Sequence, residues 1–119
     1  MKNFVVGRIK SIKYALKGMF FLATTEHSVI TQLITAVLVT IAGFYFNIST
    51  TEWAIQCFCI GLIITAEGLN TAIEAICDYI QPNFDPKIGL IKDIAAGAVA
   101  FAAFFSLIVA ILIYYPKLF

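Results

Sequence analysis

Carboxylates occupy an unexpected place in this sequence, within the segment "EGLNTAIEAICDYIQP" that begins at Glu67. The segment carries Glu67, Glu74 and Asp78, three of the seven acidic residues in a 119-residue chain that is 61% hydrophobic and 13% charged. If residues 53–81 form one helix, a rotation of ~100° per residue puts these acids and Asn70 within a sector of roughly 80°. The spacing therefore predicts a polar stripe along one face of an apolar helix.

The stripe contains acids at two depths. At ~1.5 Å per residue, Glu67 lies roughly 21 Å along the helix from Trp53, within the hydrocarbon of a bilayer, and Glu74 lies ~10 Å farther on, at its boundary. An ionisable residue inside a membrane is costly and indicates function by default, and a carboxylate in a site of low dielectric is a candidate general base. The alternative for Glu67 is a purely structural bond between helices, with Asn70 one turn away as a natural hydrogen-bond partner.

Other charged residues come to the same boundary from separate segments. Glu26 precedes the first apolar run, and Lys92 and Asp93 precede the last. Two carboxylates suit a hard cation such as Mg²⁺, which bridges phosphates, and a lysine suits phosphate charge. With a deeper base, these groups would suit phosphoryl transfer to a lipid alcohol, although the chain has no Walker A loop or protein-kinase glycine loop.

Simpler interpretations of these residues stay open. Glu26 and Asp93 could each favour a helix N-terminus. Lys92 could be an anchor at the membrane surface, and Asp78 could be a solvated residue at a helix end.

The elements that would position these residues are transmembrane helices. Soluble proteins carry about 25% charged residues, so the low charge indicates contact with lipid. Residues 28–46 and 94–115 are uncharged and long enough to span a bilayer, and residues 53–81 open with an interfacial tryptophan. We therefore predict an all-α membrane protein with three transmembrane helices, forming a single domain over residues 1–119.

The distribution of basic residues predicts the orientation. Five of the eight lysines and arginines precede position 18, the segment 47–52 has none, and the segment 82–93 has Lys87 and Lys92. The positive-inside rule then puts the N-terminus in the cytoplasm and the C-terminus outside, although Lys117 lies on the far side.

Two further patterns concern helix surfaces. Residues 1–25 are predicted to form an amphipathic helix on the membrane surface, with one apolar face made by Val5, Ile9, Ile12, Leu16 and Met19. In the last span, small residues recur every fourth position, a pattern that allows close helix packing: Ala98, Ala102, Ser106 and Ala110. That packing could occur within one protomer or between protomers, and we expect self-association.

The stretch "EGLNTAIEAICD" followed by "KDIAAGAV" resembles the signature of the bacterial integral-membrane diacylglycerol kinase and undecaprenol kinase family, and "YALKGMFFLATTE" (14–26) resembles its N-terminal part. The resemblance implies a homotrimer in the cytoplasmic membrane, with active sites between protomers that use MgATP to phosphorylate a lipid hydroxyl. Ala95 and Ala96 slightly favour undecaprenol over diacylglycerol as the acceptor. No nucleic acid is expected among its partners.

The same resemblance implies roles for individual residues. Glu67 would be the general base and would contact the lipid with Asn70, while Glu26 and Glu74 would bind the metal that holds the ATP phosphates. The nucleotide would be contacted by these two glutamates and by Tyr14, Asp85, Lys92 and Asp93. One departure from the family is Ile30, which stands where an arginine is usual.

A second class of function is left open by the residues alone. A small oligomeric transporter could use Glu67 as an intramembrane proton or ion site. Such a carrier would not need Glu26, Glu74 or the Lys92–Asp93 pair, so the cluster at the boundary argues against it. A purely structural membrane protein is a third hypothesis, against which a buried Glu67 argues.

Overall fold

Four α-helices make up nearly all of the chain in the computed structural model, which describes residues 1–119. They are α1 (Lys2–Thr25), α2 (His27–Tyr45), α3 (Thr50–Ile80) and α4 (Pro86–Leu118). The helices α2, α3 and α4 are long and apolar enough to cross a membrane. The prediction of an all-helical chain with three such helices is therefore confirmed.

The helices α3 and α4 begin at capping residues, earlier than hydropathy alone predicts. At the start of α3, the Ser49 hydroxyl accepts from the Glu52 amide at 3.1 Å and the Glu52 carboxylate accepts from the Ser49 amide at 3.0 Å. At the start of α4, Asp85 accepts from the Lys87 amide at 2.8 Å, and Pro86 occupies the first turn. The last span thus begins at Pro86 and not at 94, because cap chemistry, and not the loss of charge, sets a helix end.

Small residues let α3 and α4 pack closely as an antiparallel pair, the most extensive helix contact in the chain. Ala95 and Ala102 of α4 are buried, whereas Ala98 is exposed. The row of small residues therefore serves packing within the protomer at Ala102, while Ala98, one turn earlier in the same row, is exposed. On the other side of α3, a Cβ at Gly43 of α2 would lie 2.5 Å from the Trp53 ring, so only glycine allows this approach.

A cluster of polar side chains ties the three long helices together near the C-terminus. The Tyr114 hydroxyl donates to the Gln56 side chain at 2.5 Å, and the Gln56 amide donates to the Val39 carbonyl at 3.1 Å. Nearby, Lys117 and Glu52 form an ion pair at 3.1 Å. We call this region the tyrosine end, defined by Glu52, Gln56, Tyr114 and Lys117.

The first helix leaves this bundle. It buries no residue of its own, and the molecule measures 51 × 48 × 22 Å, wide in two directions because α1 projects sideways. Near its C-terminal end, Leu22 lies against α3, where a Cβ at Gly68 would be 3.0 Å from the Leu22 Cδ1 atom. The end of α1 therefore covers the residue next to Glu67. The contact of α1 with a membrane surface stays a prediction.

Candidate active site

The polar residues of α3 meet α2 and α4 at the opposite end of the bundle from the tyrosine end. We call this region the acidic end, defined by Glu26, Glu67, Asn70, Glu74 and Lys92. Only nine of the 119 residues are buried in the protomer, and Glu67 is one of two polar or charged residues among them. A carboxylate is thus enclosed where most of the chain exposes apolar side chains.

The Glu67 carboxylate has a side-chain neighbour on α2 that the sequence did not identify. The Gln32 amide lies close enough to act as its hydrogen-bond partner, and Glu74 is its nearest electrostatic neighbour of like charge. Gln32 is the one amide side chain in an uncharged apolar span, and that amide was the only available signal. Glu67 therefore lies where α3 faces α2, a position that fits both the catalytic and the structural interpretation.

Asn70 lies between the two glutamates of the stripe, and one of its two hydrogen-bonding groups has no partner. Its side-chain nitrogen donates to the Glu74 Oε1 atom at 3.2 Å. Its Oδ1 atom is buried and has no partner. A buried acceptor without a donor is costly, so a ligand hydroxyl at this position would complete the arrangement.

Glu26 reaches the same face of α3 from the junction of α1 and α2. It occupies the N-cap position of α2, yet its side chain makes no capping bond. Its Oε2 atom instead accepts from the Thr71 hydroxyl at 3.5 Å. The position of Glu26 fits the simpler interpretation that it begins a helix. Its side chain does not fit that interpretation, because it makes no capping bond. Thr71, which the sequence did not single out, brings Glu26 within one helical turn of Glu74.

Lys92 is held at this end by an ion pair with Asp78. The Lys92 Nζ and Asp78 Oδ1 atoms are 2.5 Å apart, and both side chains are partly exposed, at 37% and 65%. Asp78 is exposed, as a residue at a helix end would be, but it is also the partner of the lysine, which the sequence did not predict. Glu74 is near enough to attract Lys92 electrostatically, but the direct partner of the lysine is Asp78.

Three of the sequence-based candidates form no hydrogen bond or ion pair with the residues of this cluster within the protomer. Asp85 caps α4, accepting from the amides of Lys87 and Ile88. Asp93 is exposed within α4, so the alternative that it begins a helix is wrong, because the helix starts at Pro86. Tyr14 is 67% exposed on α1, and at ~1.5 Å per residue it lies roughly 18 Å along the helix axis from Glu26.

The side chains at the acidic end suit a metal ion that takes some of its ligands from the substrate. They do not form a complete metal site made by the protein alone. No group of three or more histidine, cysteine, aspartate or glutamate side chains is arranged to hold a metal. Glu26 and Glu74 offer two carboxylates beside one turn of α3. Mg²⁺ is commonly bound by one or two carboxylates together with waters and substrate phosphates, so these residues fit that ion.

Comparison with known proteins gives consistent matches. Residues 13–114 match the family model described as prokaryotic diacylglycerol kinase. The chain is 39% identical over 109 residues to an undecaprenol kinase of Bacillus subtilis (strain 168), covering 92% of this chain and 89% of that relative. It is 28% identical over 109 residues to a diacylglycerol kinase of Synechocystis sp., covering 91% of this chain and 62% of that relative.

Proposed function

Because the chain belongs to the prokaryotic diacylglycerol kinase family, we propose that it transfers the γ-phosphoryl group of MgATP to a membrane lipid hydroxyl, with undecaprenol preferred to diacylglycerol. The enzyme class, a phosphotransferase with an alcohol acceptor, follows from the family. The observation that carries the assignment to the acidic end is the enclosed Glu67 carboxylate beside an unpartnered Asn70 oxygen.

Glu67 is the general base in this proposal. The lipid hydroxyl would lie between Glu67 and the Asn70 Oδ1 atom, and its one proton would be shared between these two acceptors before it moves. The Glu67 carboxylate takes that proton as the hydroxyl oxygen forms its bond to the γ-phosphorus, and the bond to the leaving ADP oxygen breaks. Gln32 keeps the carboxylate facing the acceptor by occupying its side toward α2.

The phosphates of ATP would lie on the more exposed side of the cluster. Glu26 and Glu74 would hold Mg²⁺, which when bound neutralises phosphate charge. Lys92 would exchange its contact with Asp78 for a phosphate oxygen, which a charge-assisted bond favours. Asp85 and Asp93 are assigned to the nucleotide by family resemblance, as is Tyr14.

The distance of Tyr14 from the cluster supports a site shared between protomers. Within one chain it is roughly 18 Å along α1 from Glu26, so in the proposed homotrimer it would reach the nucleotide of a neighbouring protomer. We place this single domain, residues 1–119, in the bacterial cytoplasmic membrane. The N-terminus and the acidic end face the cytoplasm, where ATP is present.

The preference for undecaprenol rests on the comparisons. The relative at 39% identity is named for undecaprenol and the one at 28% for diacylglycerol. Nothing in the fold or in the comparisons supports the alternative of a transporter that uses Glu67 as a proton site.

A direct assay tests the proposal. The purified protein in detergent micelles receives MgATP with undecaprenol in one reaction and diacylglycerol in another, and the phosphorylated lipid is quantified. We expect ATP-dependent phosphorylation, with a higher kcat/KM for undecaprenol. Failure to phosphorylate either lipid in folded, assembled protein would overturn the proposed activity, and a higher kcat/KM for diacylglycerol would overturn the acceptor preference.

A further inference from the structure

The hydroxyl of Thr71 makes an unusual contact for a threonine inside a helix. Threonines in helices commonly donate to the carbonyl four residues earlier in their own helix, and five threonines of α1 and α2 do so: Thr24, Thr25, Thr31, Thr35 and Thr40. Thr71 lies well inside α3, yet its hydroxyl donates to the Glu26 Oε2 atom at 3.5 Å. This hydroxyl therefore contacts a side chain of another segment and not the backbone of its own helix.

Glu26 receives this contact at the junction of two helices. It is the one residue between α1 and α2, and its backbone is extended, with φ −90° and ψ 114°. A side chain at this position often accepts from the amides of the first helical turn, but Glu26 makes no such bond. Its side-chain partner is the Thr71 hydroxyl. The direction of the Glu26 carboxylate is thus set from α3.

The two carboxylates proposed to hold Mg²⁺ are each contacted by a neutral donor from consecutive residues of α3. Asn70 donates to Glu74 at 3.2 Å, and Thr71 donates to Glu26 at 3.5 Å. A lysine in either place would compete with a metal ion for the carboxylate charge, whereas an amide or a hydroxyl leaves that charge in place. Carboxylates that bind metals are themselves hydrogen-bonded by such groups, which fix their orientation.

The contact between Thr71 and Glu26 is long for a hydrogen bond between two oxygen atoms. Such bonds are usually about 2.7–2.8 Å, so at 3.5 Å the contact contributes little to the stability of the fold. Its effect is on the direction of the carboxylate. Removal of the hydroxyl should therefore weaken a metal site at Glu26 and leave the packing of α1, α2 and α3 intact.

We infer that Thr71 is a positioning residue for the metal ion: its hydroxyl holds the Glu26 carboxylate beside Glu74, so that both can bind the Mg²⁺ that carries the ATP phosphates. The inference rests on the proposed lipid kinase function and adds to it a residue that acts through Glu26. Loss of a hydrogen-bond partner of a metal ligand typically lowers metal affinity about 10- to 100-fold.

Variants that separate the hydroxyl from the shape of the side chain test the inference. Thr71→Val removes the hydroxyl and keeps the size, and Thr71→Ser keeps the hydroxyl and should bind metal as the unsubstituted protein does. Thr65→Val, at an exposed threonine of the same helix, is the matched control. Glu26→Gln is the reference for loss of the ligand itself. Thr71→Ala also removes the hydroxyl and takes the place of Thr71→Val if that variant does not fold.

The first readout is binding of Mn²⁺ with AMP-PNP, a nucleotide that cannot pass on its γ-phosphoryl group, measured by isothermal titration calorimetry in detergent micelles. Mn²⁺ accepts the same carboxylate and water ligands as Mg²⁺. We expect Thr71→Val to raise the Kd about tenfold. The double variant Glu26→Gln with Thr71→Val should bind no more weakly than Glu26→Gln alone, because effects that pass through one ligand do not add. The second readout is the Mg²⁺ concentration for half-maximal lipid phosphorylation, which should rise in Thr71→Val and return in Thr71→Ser.

Several results would overturn the inference. An unchanged Kd in Thr71→Val, beside a raised Kd in Glu26→Gln, would overturn it and leave the proposed function standing. Losses that add in the double variant would mean that the hydroxyl acts independently of Glu26. Equal losses in Thr71→Val and Thr71→Ser would assign the effect to packing of the methyl group. An unchanged Kd in Glu26→Gln would remove the metal assignment together with the inference, and the proposed function itself fails only if the unsubstituted protein phosphorylates no lipid alcohol.

Discussion

The two polar ends of the bundle differ in whether their polar side chains find partners within the chain. At the tyrosine end, Gln56 and Tyr114 satisfy each other and the Val39 carbonyl, and Glu52 pairs with Lys117. At the acidic end, the three glutamates have no cation as a direct partner. The one lysine there is paired with Asp78, and Asn70 keeps a buried oxygen without a partner.

The difference separates side chains that stabilise the fold from side chains that the fold positions for binding a ligand. Buried polar groups in native proteins are nearly always paired, and an unpaired one needs an explanation. The tyrosine end meets this rule with the residues of the chain itself. The acidic end meets it only if a ligand supplies cations and a donor, as a metal–nucleotide complex and an alcohol would. Substitutions at the acidic end should therefore change turnover, and those at the tyrosine end should change stability.

The largest effect is expected from Glu67→Gln at the acidic end. The variant keeps the shape of the side chain but cannot take the proton of the hydroxyl, so turnover should fall by about 10²–10⁴-fold, the usual contribution of a general base. Initial rates of lipid phosphorylation measure this, with circular dichroism as a check on folding. Glu52→Gln is the control, because its amide oxygen can still accept from the Ser49 amide. Full activity of Glu67→Gln would remove it as the base.

A smaller and more specific effect is expected from Glu74→Gln. The amide oxygen can still accept from Asn70, so the substitution removes one charge and little else. With one of two carboxylates lost, the Mg²⁺ concentration for half-maximal activity should rise about tenfold. A titration of activity with Mg²⁺ at fixed ATP measures it. An unchanged Mg²⁺ dependence would remove Glu74 as a metal ligand.

Much of the fold and part of the site follow from the sequence. The three long uncharged or weakly charged runs predict the spans, and the family resemblance is confirmed by the match over residues 13–114. Glu67, Asn70 and Glu74 share a helix face because their spacing follows the helical repeat. The helix ends were less well predicted, since Asp85 and the Ser49–Glu52 pair set them through capping bonds.

Contacts between helices could not be predicted in the same way. Gln32 and Thr71 approach Glu67 and Glu26 because of how α2 is rotated and placed against α3, and no repeat within one helix fixes that rotation. The pairing of Lys92 with Asp78 depends likewise on the register of α4 along α3. Sequence periodicity therefore predicts which residues share a face, and packing decides what that face meets.

The ion pair between Lys92 and Asp78 allows a test of whether Lys92 contacts the nucleotide or serves only in a structural ion pair. Lys92→Met should raise the KM for ATP about tenfold, because a charge-assisted bond to phosphate is lost. Asp78→Asn breaks the same ion pair but leaves the lysine charge free for ATP, so its KM should change little. ATP saturation curves at saturating lipid distinguish the two variants. Equal increases in the KM for ATP in both variants would mean that the ion pair, and not a contact with phosphate, determines this KM.

The smallest effect on turnover is expected at the tyrosine end. Tyr114→Phe removes the hydroxyl that binds Gln56 and the Val39 carbonyl, leaving a buried amide oxygen without its donor. Stability should fall by about 0.5–2 kcal/mol, given that hydrogen bonds between membrane helices contribute modestly. Thermal unfolding in detergent measures the loss, while kcat below the transition should stay near that of the unsubstituted protein. Tyr115→Phe, on an exposed neighbour, should change neither quantity. A large fall in kcat for Tyr114→Phe without loss of stability would contradict the division between the two ends, because the paired end would then take part in turnover.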